Sequence, residues 1–543
     1  MSITSTCAPS WANRRAQARP MPWAPPVTMM CRFLSRMLSI LCDRAVRLEA
    51  FLQLGRRLLG FLALPSLAIV AASSAQAQGA ALNQWLDHVE KSLQIPPSAI
   101  GLILEPIHTG NPGLQQRFPG QRTPFRWQHR ADEAMNPAST IKLLTSFAAL
   151  QLLGPDFRWT TRWRTTAQPQ KDILHGDLVM QGGGDPKLLI EDLRAIAAAL
   201  KSKGLQDIRG DLLLDASLYA AEVTQALPLD GEWQQPYNVA PIATDLNFRA
   251  VKLSWGAAQQ PTLDPPLEGL ELVDRLRKPN AACKDAAFSF HFEPEFAGVG
   301  APARKLVLEG QWPLSCGRGE RYIAYPEPVE FAERLFRAAW LEQGGRWQGH
   351  ARRADGAAAA APFELLRWTS TSSLQEVVMD VNKLSNNLLA RHLWLQLSAH
   401  GSAPASVQAS WEQLRHWLHN QRITLPSLLI ENGSGLSRHE RISPRDLNQI
   451  LQLVQRLPIA SMYQDSLPLA GIDGTMKARL NEPGLRGQLW LKTGTLNQVR
   501  ALAGYIEARS GQRYSFTLMI NHPKAGAARP AVDNLLRVIV ATG

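Results

Sequence analysis

Three short polar motifs constrain this sequence more than anything else in it. Ser139-Thr-Ile-Lys142, Ser385-Asn-Asn387 and Lys492-Thr-Gly494 each occur once, in that order, among 543 residues. A lone S-x-x-K arises by chance about once or twice in a chain this long; three unique motifs in series are far more specific. Around the first, Asn136 as N-cap, Pro137 in the first turn and Gly154-Pro155 as a stop predict a helix with Ser139 and Lys142 one turn apart on one face. A second helix is predicted over residues 373–396, carrying Ser385 and Asn387. Residues 487–492, 499–507 and 513–521 alternate as strands, with Ser510-Gly511 as a hairpin turn, and a helix over 530–542 closes the chain. Consecutive hairpins flanked by helices give an antiparallel sheet in an α+β domain.

The residue types suit nucleophilic catalysis. A serine hydroxyl needs a neighbouring base, and Lys142 serves if burial and a second cation such as Lys492 lower its pKa. A helix N-terminus at Ser139 favours a developing oxyanion, with the N–H of Thr495 as a second donor. Gly494, lacking a side chain, leaves room for an extended substrate to pair with its strand. Ser385 is placed to relay a proton to a leaving amine and Asn387 to hold the acyl side chain. Lys492, Thr493 and Thr495 are placed to bind a terminal carboxylate. Taken singly, each motif is an ordinary helix start, a solvated helix face or a strand end. Other short motifs fail: Gly182-Gly-Gly-Asp-Pro186 lacks the Lys of a phosphate loop, His439-Glu440 lacks the second His of a zinc peptidase, and Gly433-Ser-Gly435 is an incomplete nucleophile elbow. No metal and no cofactor is expected.

Composition bears on partners and compartment. With 45% hydrophobic residues and only 38 Gly and 37 Pro, the chain is globular, and its length allows more than one packed domain. Its net charge of +12 invites a nucleic-acid reading. However, nine arginines and two acids fall within the first 77 residues, leaving 49 basic and 44 acidic residues over the other 466. No nucleic-acid partner is expected. Arg56-Arg57, the apolar run 58–72 and Ala75-Gln-Ala77 read as a signal peptide over residues 56–77, which predicts a periplasmic protein. A membrane anchor is the alternative, disfavoured by the shortness of the run and by Pro65. Residues 1–55 read as a dubious or disordered extension, with Met30 or Met37 as possible starts. Only one helix follows the last strand, so weak or no membrane association is expected. Cys283 and Cys316, the two cysteines beyond the leader, read as one disulfide of an exported protein, or else as two buried thiols.

Between the first two motifs the texture changes. Residues 158–365 show short β-like runs such as 211–215 and 305–308, broken by Gly- and Pro-rich turns, and end in an alanine-rich linker at 357–361. They are read as a separate, β-rich region.

The three motifs are the set shared by penicillin-binding proteins and class A β-lactamases. With Gly176-Asp-Leu178, Gly182-Gly-Gly-Asp-Pro186, Glu431-Asn-Gly-Ser-Gly-Leu-Ser-Arg438 and the stretch 467–475 (LPLAGIDGT), the chain from about residue 85 onward resembles the low-molecular-mass class C penicillin-binding proteins, D-alanyl-D-alanine carboxypeptidases and endopeptidases. Asn386 stands where the common pattern has Asp, a variation that family tolerates. The resemblance implies a serine β-lactamase/transpeptidase-like fold whose catalytic domain is split into 78–157 and 366–543 by β-rich domains inserted over 158–365, after the first motif. It also implies removal of terminal D-Ala from peptidoglycan stem peptides, cleavage of D-Ala-diaminopimelate cross-links, and an acyl-enzyme on Ser139 that β-lactams trap. The alternatives are a serine β-lactamase, against which the large insertion and the missing Glu-x-x-Leu-Asn element speak, and a non-catalytic module that binds penicillin or wall peptides.

Overall fold

The computed structural model describes residues 67–107, 126–224, 231–256, 259–293, 305–354 and 361–542. The chain divides into two compact units, Met1–Ser73 and Ser74–Gly543; of the first only the start of a helix is described. Most of the expected signal peptide, the upstream extension and residues 357–360 of the expected linker therefore lie outside the described residues, while residues 67–77 are helical.

The sheet that carries the third motif is built from both ends of the chain. Its strands are β1 (Ile100–Pro106), β2 (Trp127–His129), β3 (Leu489–Leu496), β4 (Val499–Glu507) and β5 (Arg513–Asn521), in the order β3-β4-β5-β1-β2 and antiparallel throughout. Alternation along each strand sends residues to two faces. On one, Leu102, Leu104, Leu502, Phe516 and Leu518 pack with Leu82, Trp85 and Val89 of α1 (Leu67–Leu93) and with Leu535 and Ile539 of the last helix, Arg529–Thr542. On the other, Ala501, Ala503, Tyr505 and Met519 meet a helical layer. That layer comprises α2 (Lys142–Leu153), α3 (Leu374–Lys383), α4 (Asn387–Gln396), the helix Val407–Asn420 and α5 (Pro444–Val454). Small Ala501 and Ala503 at the start of β4 let the segment before α2 come close to the sheet.

The region between α2 and α3 has its own core. A five-stranded mixed sheet runs Ala351–Arg353, Leu212–Asp215, Leu178–Gln181, Thr160–Thr165 and Phe363–Thr369. The helices Ile190–Ser202 and Pro328–Glu342 pack on it through Leu193, Ile196, Leu200, Leu335 and Phe336. The short-strand texture of the sequence does not announce these helices. Three-stranded sheets, including Glu271–Arg277, Lys305–Gln311 and Ala287–Glu293, complete the region. Cys283 and Cys316 are bonded, Cα to Cα 4.7 Å. The outgoing and returning chains pair antiparallel as Thr160–Thr165 against Phe363–Thr369, so the strand of return runs through residue 365. Among the described residues no helix is long and apolar enough to cross a membrane.

Candidate active site

Ser139 lies in a 3₁₀ turn, Ala138–Ile141, and Lys142 opens α2. The expectation that Asn136 caps an α-helix starting at Pro137 is corrected. Asn136 Oδ1 accepts the N–H of Ala138 at 2.9 Å, its own N–H donates to Asn521 Oδ1 at 2.7 Å, and its amide donates to the carbonyls of Ser437 and Arg438 at 3.2 Å each. Asn136 thus pins the turn to β5 and to a distant loop, and the α-helix starts five residues later than expected. In a 3₁₀ turn residues i and i+3 eclipse, and Lys142 Nζ stands 2.9 Å from Ser139 Oγ.

The single helix expected over 373–396 is two. α3 ends at Lys383 and α4 begins at Asn387, because Ser385 takes a left-handed φ of 58° and the Asn386 side chain caps α4 by accepting the N–H of Leu389 at 3.0 Å. The break aims two side chains at the site. Asn387 Oδ1 accepts from Lys142 Nζ at 2.7 Å, and Ser385 Oγ accepts from Lys492 Nζ at 2.7 Å. The Asn387 amide also donates to the Tyr237 carbonyl at 3.3 Å, so both its ends are engaged within the protein.

Lys492, Thr493, Gly494 and Thr495 lie on β3, the edge strand. The start of that edge is covered: Leu491 donates its N–H to the Pro468 carbonyl at 2.9 Å, and Ala470 donates to the Leu489 carbonyl at 3.0 Å. By the alternation of an antiparallel ladder, Thr493 and Thr495 turn their backbone groups to the same outer side, where the covering segment has ended. Thr493 Oγ1 donates to Thr475 Oγ1 at 2.8 Å. Gly494 has a different reason from the one the sequence suggests. A Cβ there would stand 2.8 Å from the Pro137 carbonyl and 3.2 Å from the Ala138 Cβ, so the missing side chain admits the serine turn. Ser139, Ser385, Thr475, Thr493, Gly494 and Thr495 line one end of a cleft of about 570 Å³, which runs on past Arg479, Arg500 and Arg529.

Both lysines are wholly buried. Burial pushes Lys142 down to about 7, against the pull of the Glu440 carboxylate, and drives Lys492 well below the usual lysine range, helped by the charge of Lys142. Lys142 Nζ has three polar neighbours: the Asn387 side-chain oxygen, the Ser434 backbone carbonyl and the Ser139 hydroxyl. The first two only accept. A neutral amine spends its two N–H donors on them, and its lone pair is left facing the one neighbour that carries a transferable proton. The arrangement suits an amine that deprotonates Ser139.

The sequence reading brings Ser139, Lys142, Ser385, Asn387, Lys492, Thr493, Gly494 and Thr495 forward, and all lie around this cleft or its floor. It gives no role to the loop 431–440. There the Ser434 carbonyl meets Lys142, and a Cβ on Gly435 would stand 2.1 Å from the Ala138 carbonyl. Glu440 is wholly buried behind it. The positive-φ glycines Gly433 and Gly435 are the signal in the sequence that this loop turns tightly against something.

The sequence profile of the family described as D-Ala-D-Ala carboxypeptidase 3 (S13) matches residues 121–540. A D-alanyl-D-alanine carboxypeptidase of Actinomadura sp. (strain R39) is 26% identical over 483 residues, covering 86% of each chain. The D-alanyl-D-alanine carboxypeptidase DacB of Haemophilus influenzae is 25% identical over 403 residues, covering 72% of this chain and 81% of that protein. A crystal structure of penicillin binding protein 4 (dacB) from Haemophilus influenzae has the same fold, with a TM-score of 0.63 at 21% identity, covering 80% of this chain and 96% of that one. A second structure of it, complexed with a β-lactam, gives a TM-score of 0.62 at 20% identity over 83% of this chain and 98% of that one. With a family match spanning most of its length, the chain belongs to the D-Ala-D-Ala carboxypeptidase 3 (S13) family, serine peptidases of the penicillin-binding class.

Proposed function

We propose that this serine DD-peptidase acts on peptidoglycan stem peptides through an acyl-enzyme on Ser139, with Lys142 as base and Ser385 as proton relay. The neutral amine of Lys142 takes the Ser139 proton as Oγ attacks the carbonyl of the penultimate D-Ala. The N–H groups of Ser139 and Thr495 hold the oxyanion. Ser385, held by Lys492, passes a proton to the departing amine of terminal D-Ala, or of diaminopimelate in a cross-link, and the proton that Lys142 took from Ser139 replaces it. Water then releases the acyl group and regenerates Ser139. Lys492, Thr493 and Thr495 hold the terminal carboxylate, and the open edge of β3 receives the extended peptide. A β-lactam acylates Ser139 by the same attack.

The observation that carries this reading is the environment of Lys142 Nζ, where, of its three hydrogen-bond partners among the described residues, only Ser139 Oγ, 2.9 Å away, carries a transferable proton. The pairing of Thr160–Thr165 with Phe363–Thr369 supports a catalytic domain of 78–157 plus 366–543 interrupted by 158–365, with the natural borders at those two strands. Arg56-Arg57 and the apolar run after them support export to the periplasm.

The test is direct. Purified protein should release D-Ala from a D-Ala-D-Ala peptide and hold labelled penicillin far longer than one turnover, and Ser139→Ala should lose both, with peptidase activity down by about 10³-fold or more. Rapid penicillin hydrolysis without D-Ala release would point to a β-lactamase. Stable labelling without peptide cleavage would point to a binding module.

A further inference from the structure

Among the described residues, Glu440 is the buried acid whose charge acts on the reactive lysine, and the mechanism above does not use it. It is wholly buried, and its Oε1 accepts three successive backbone N–H groups, from Glu431 at 3.4 Å, Asn432 at 3.1 Å and Gly433 at 3.1 Å. Its Oε2 is buried without a hydrogen-bond partner. The loop it gathers is the one that serves Lys142: the Ser434 carbonyl accepts from Lys142 Nζ, and the Gly433 carbonyl accepts from Thr145 Oγ1, one turn along α2, at 2.7 Å.

A neutral carbonyl would satisfy those three N–H groups as well, without the cost of burying a charge. Burial pushes the Glu440 carboxyl up to about 7 while the three N–H groups and Lys142 pull it down, so its charge at neutral pH is tied to that of Lys142. Lys142 is the cation whose field reaches the Glu440 carboxylate, while Glu431 of the same loop is turned to the Ser437 hydroxyl. Around Lys142 the charged groups are Lys492 from β3 and Glu440 from this loop, the other contacts being Ser139, Asn387 and the Ser434 carbonyl. Lys492 repels Lys142, and Glu440 pulls the other way on it.

We propose that Glu440 is a positioning residue that acts through Lys142: its carboxylate is the counter-charge that sets the pH at which Lys142 becomes the free base for Ser139. The inference rests on Lys142 being that base. Glu440 favours the ammonium form, and removing its charge lets the amine form persist to lower pH.

Acylation by labelled penicillin, followed between about pH 5 and 9, reads this out. Wild type should lose acylation as the pH falls through about 7. Glu440→Gln, which keeps an acceptor for the loop, should move that acidic limb down by about one pH unit, so that at about pH 6 its rate, relative to its own plateau, is about fivefold above wild type. Glu440→Asp, which keeps the charge, should leave the limb in place. An unmoved limb in Glu440→Gln overturns the proposal. If that variant does not fold, the double variant Lys142→Met/Glu440→Gln decides: it should recover stability relative to either single change, because it removes both members of the pair, and no recovery overturns the proposal. If Lys142→Met were acylated like wild type, the reading of Lys142 as base would fall, and this inference with it.

Discussion

The cleft and the inserted region both bury cations, and they balance them differently. In the inserted region Arg334 lies 2.7 Å from Glu330 and Arg249 lies 3.6 Å from Asp245, so each of these buried guanidinium groups faces a carboxylate. At the cleft, buried Lys142 and Lys492 repel one another, and Glu440 is the carboxylate that acts on Lys142. Pairing keeps an arginine charged and structural. A deficit of acid, together with burial, pushes lysines toward the neutral amine, which catalysis needs and stability does not. The helical layer and sheet around the cleft hold that unfavourable arrangement in place, while residues 158–365 fold on a core of their own.

The largest expected effect comes from two glycines with the same backbone angle. Gly435 and Gly231 both have φ of 81°. A Cβ on Gly435 would lie 2.1 Å from the Ala138 carbonyl and 2.7 Å from the Ser139 nitrogen, both backbone atoms of the reactive turn; a Cβ on Gly231 would meet nothing within 4 Å. Gly435→Ala should cut penicillin acylation by about 100-fold or more, since the turn must move. Gly231→Ala should cost only about 1 kcal/mol of backbone strain and leave acylation unchanged. Stopped-flow acylation and thermal melts on the pair check this. Equal effects would mean that the clash at Gly435 is relieved elsewhere and that the turn is not held as tightly as its contacts indicate.

How far the sequence discloses this follows from what kind of signal each feature leaves. The strands β3 to β5 are legible as short, mostly buried runs set off by turn residues, and the three motifs because their residue types and order are rare together. The two helices of the inserted region leave ordinary signals, Pro328 after Glu327 as cap and Leu193, Ile196 and Leu200 at helical spacing, but Gly- and Pro-rich turns on every side obscure them. The break at Ser385 has no Gly or Pro to mark it; it depends on one residue accepting a left-handed conformation and on Asn386 as a cap. Glu440 leaves no local signal. Its burial, its three N–H donors and its cation all come from segments that only the folded chain brings together.

Next in size is the bond between Cys283 and Cys316, which ties two strand connections of the inserted region and closes a loop of 33 residues. Replacing both cysteines by serine should lower stability by roughly 3–4 kcal/mol in the chain-entropy account. Since the bond stands in the region with its own core, penicillin acylation of the folded fraction should match wild type. A denaturant melt and an acylation rate on one sample separate the two. Lost acylation at full stability would show that the inserted region sets the geometry of the cleft, and the contrast drawn above would fail.

The smallest effect probes the join itself. The buried ring of His392, on α4 five residues after Asn387, bridges the two regions: Nδ1 meets the Tyr219 hydroxyl at 3.0 Å and Nε2 meets Asp245 Oδ2 at 3.0 Å. Tyr219→Phe keeps the ring and its packing but leaves one buried imidazole nitrogen without a partner, which costs about 1–2 kcal/mol. If the inserted region only supports the frame, that loss should appear in urea denaturation alone, with acylation unchanged within about twofold. If α4 carries strain from the join to Asn387, acylation should fall more than stability does, because Asn387 Oδ1 is one of the two acceptors that leave the lone pair of Lys142 free for Ser139. The ratio of the two losses therefore measures how much of the site's geometry α4 draws from the inserted region.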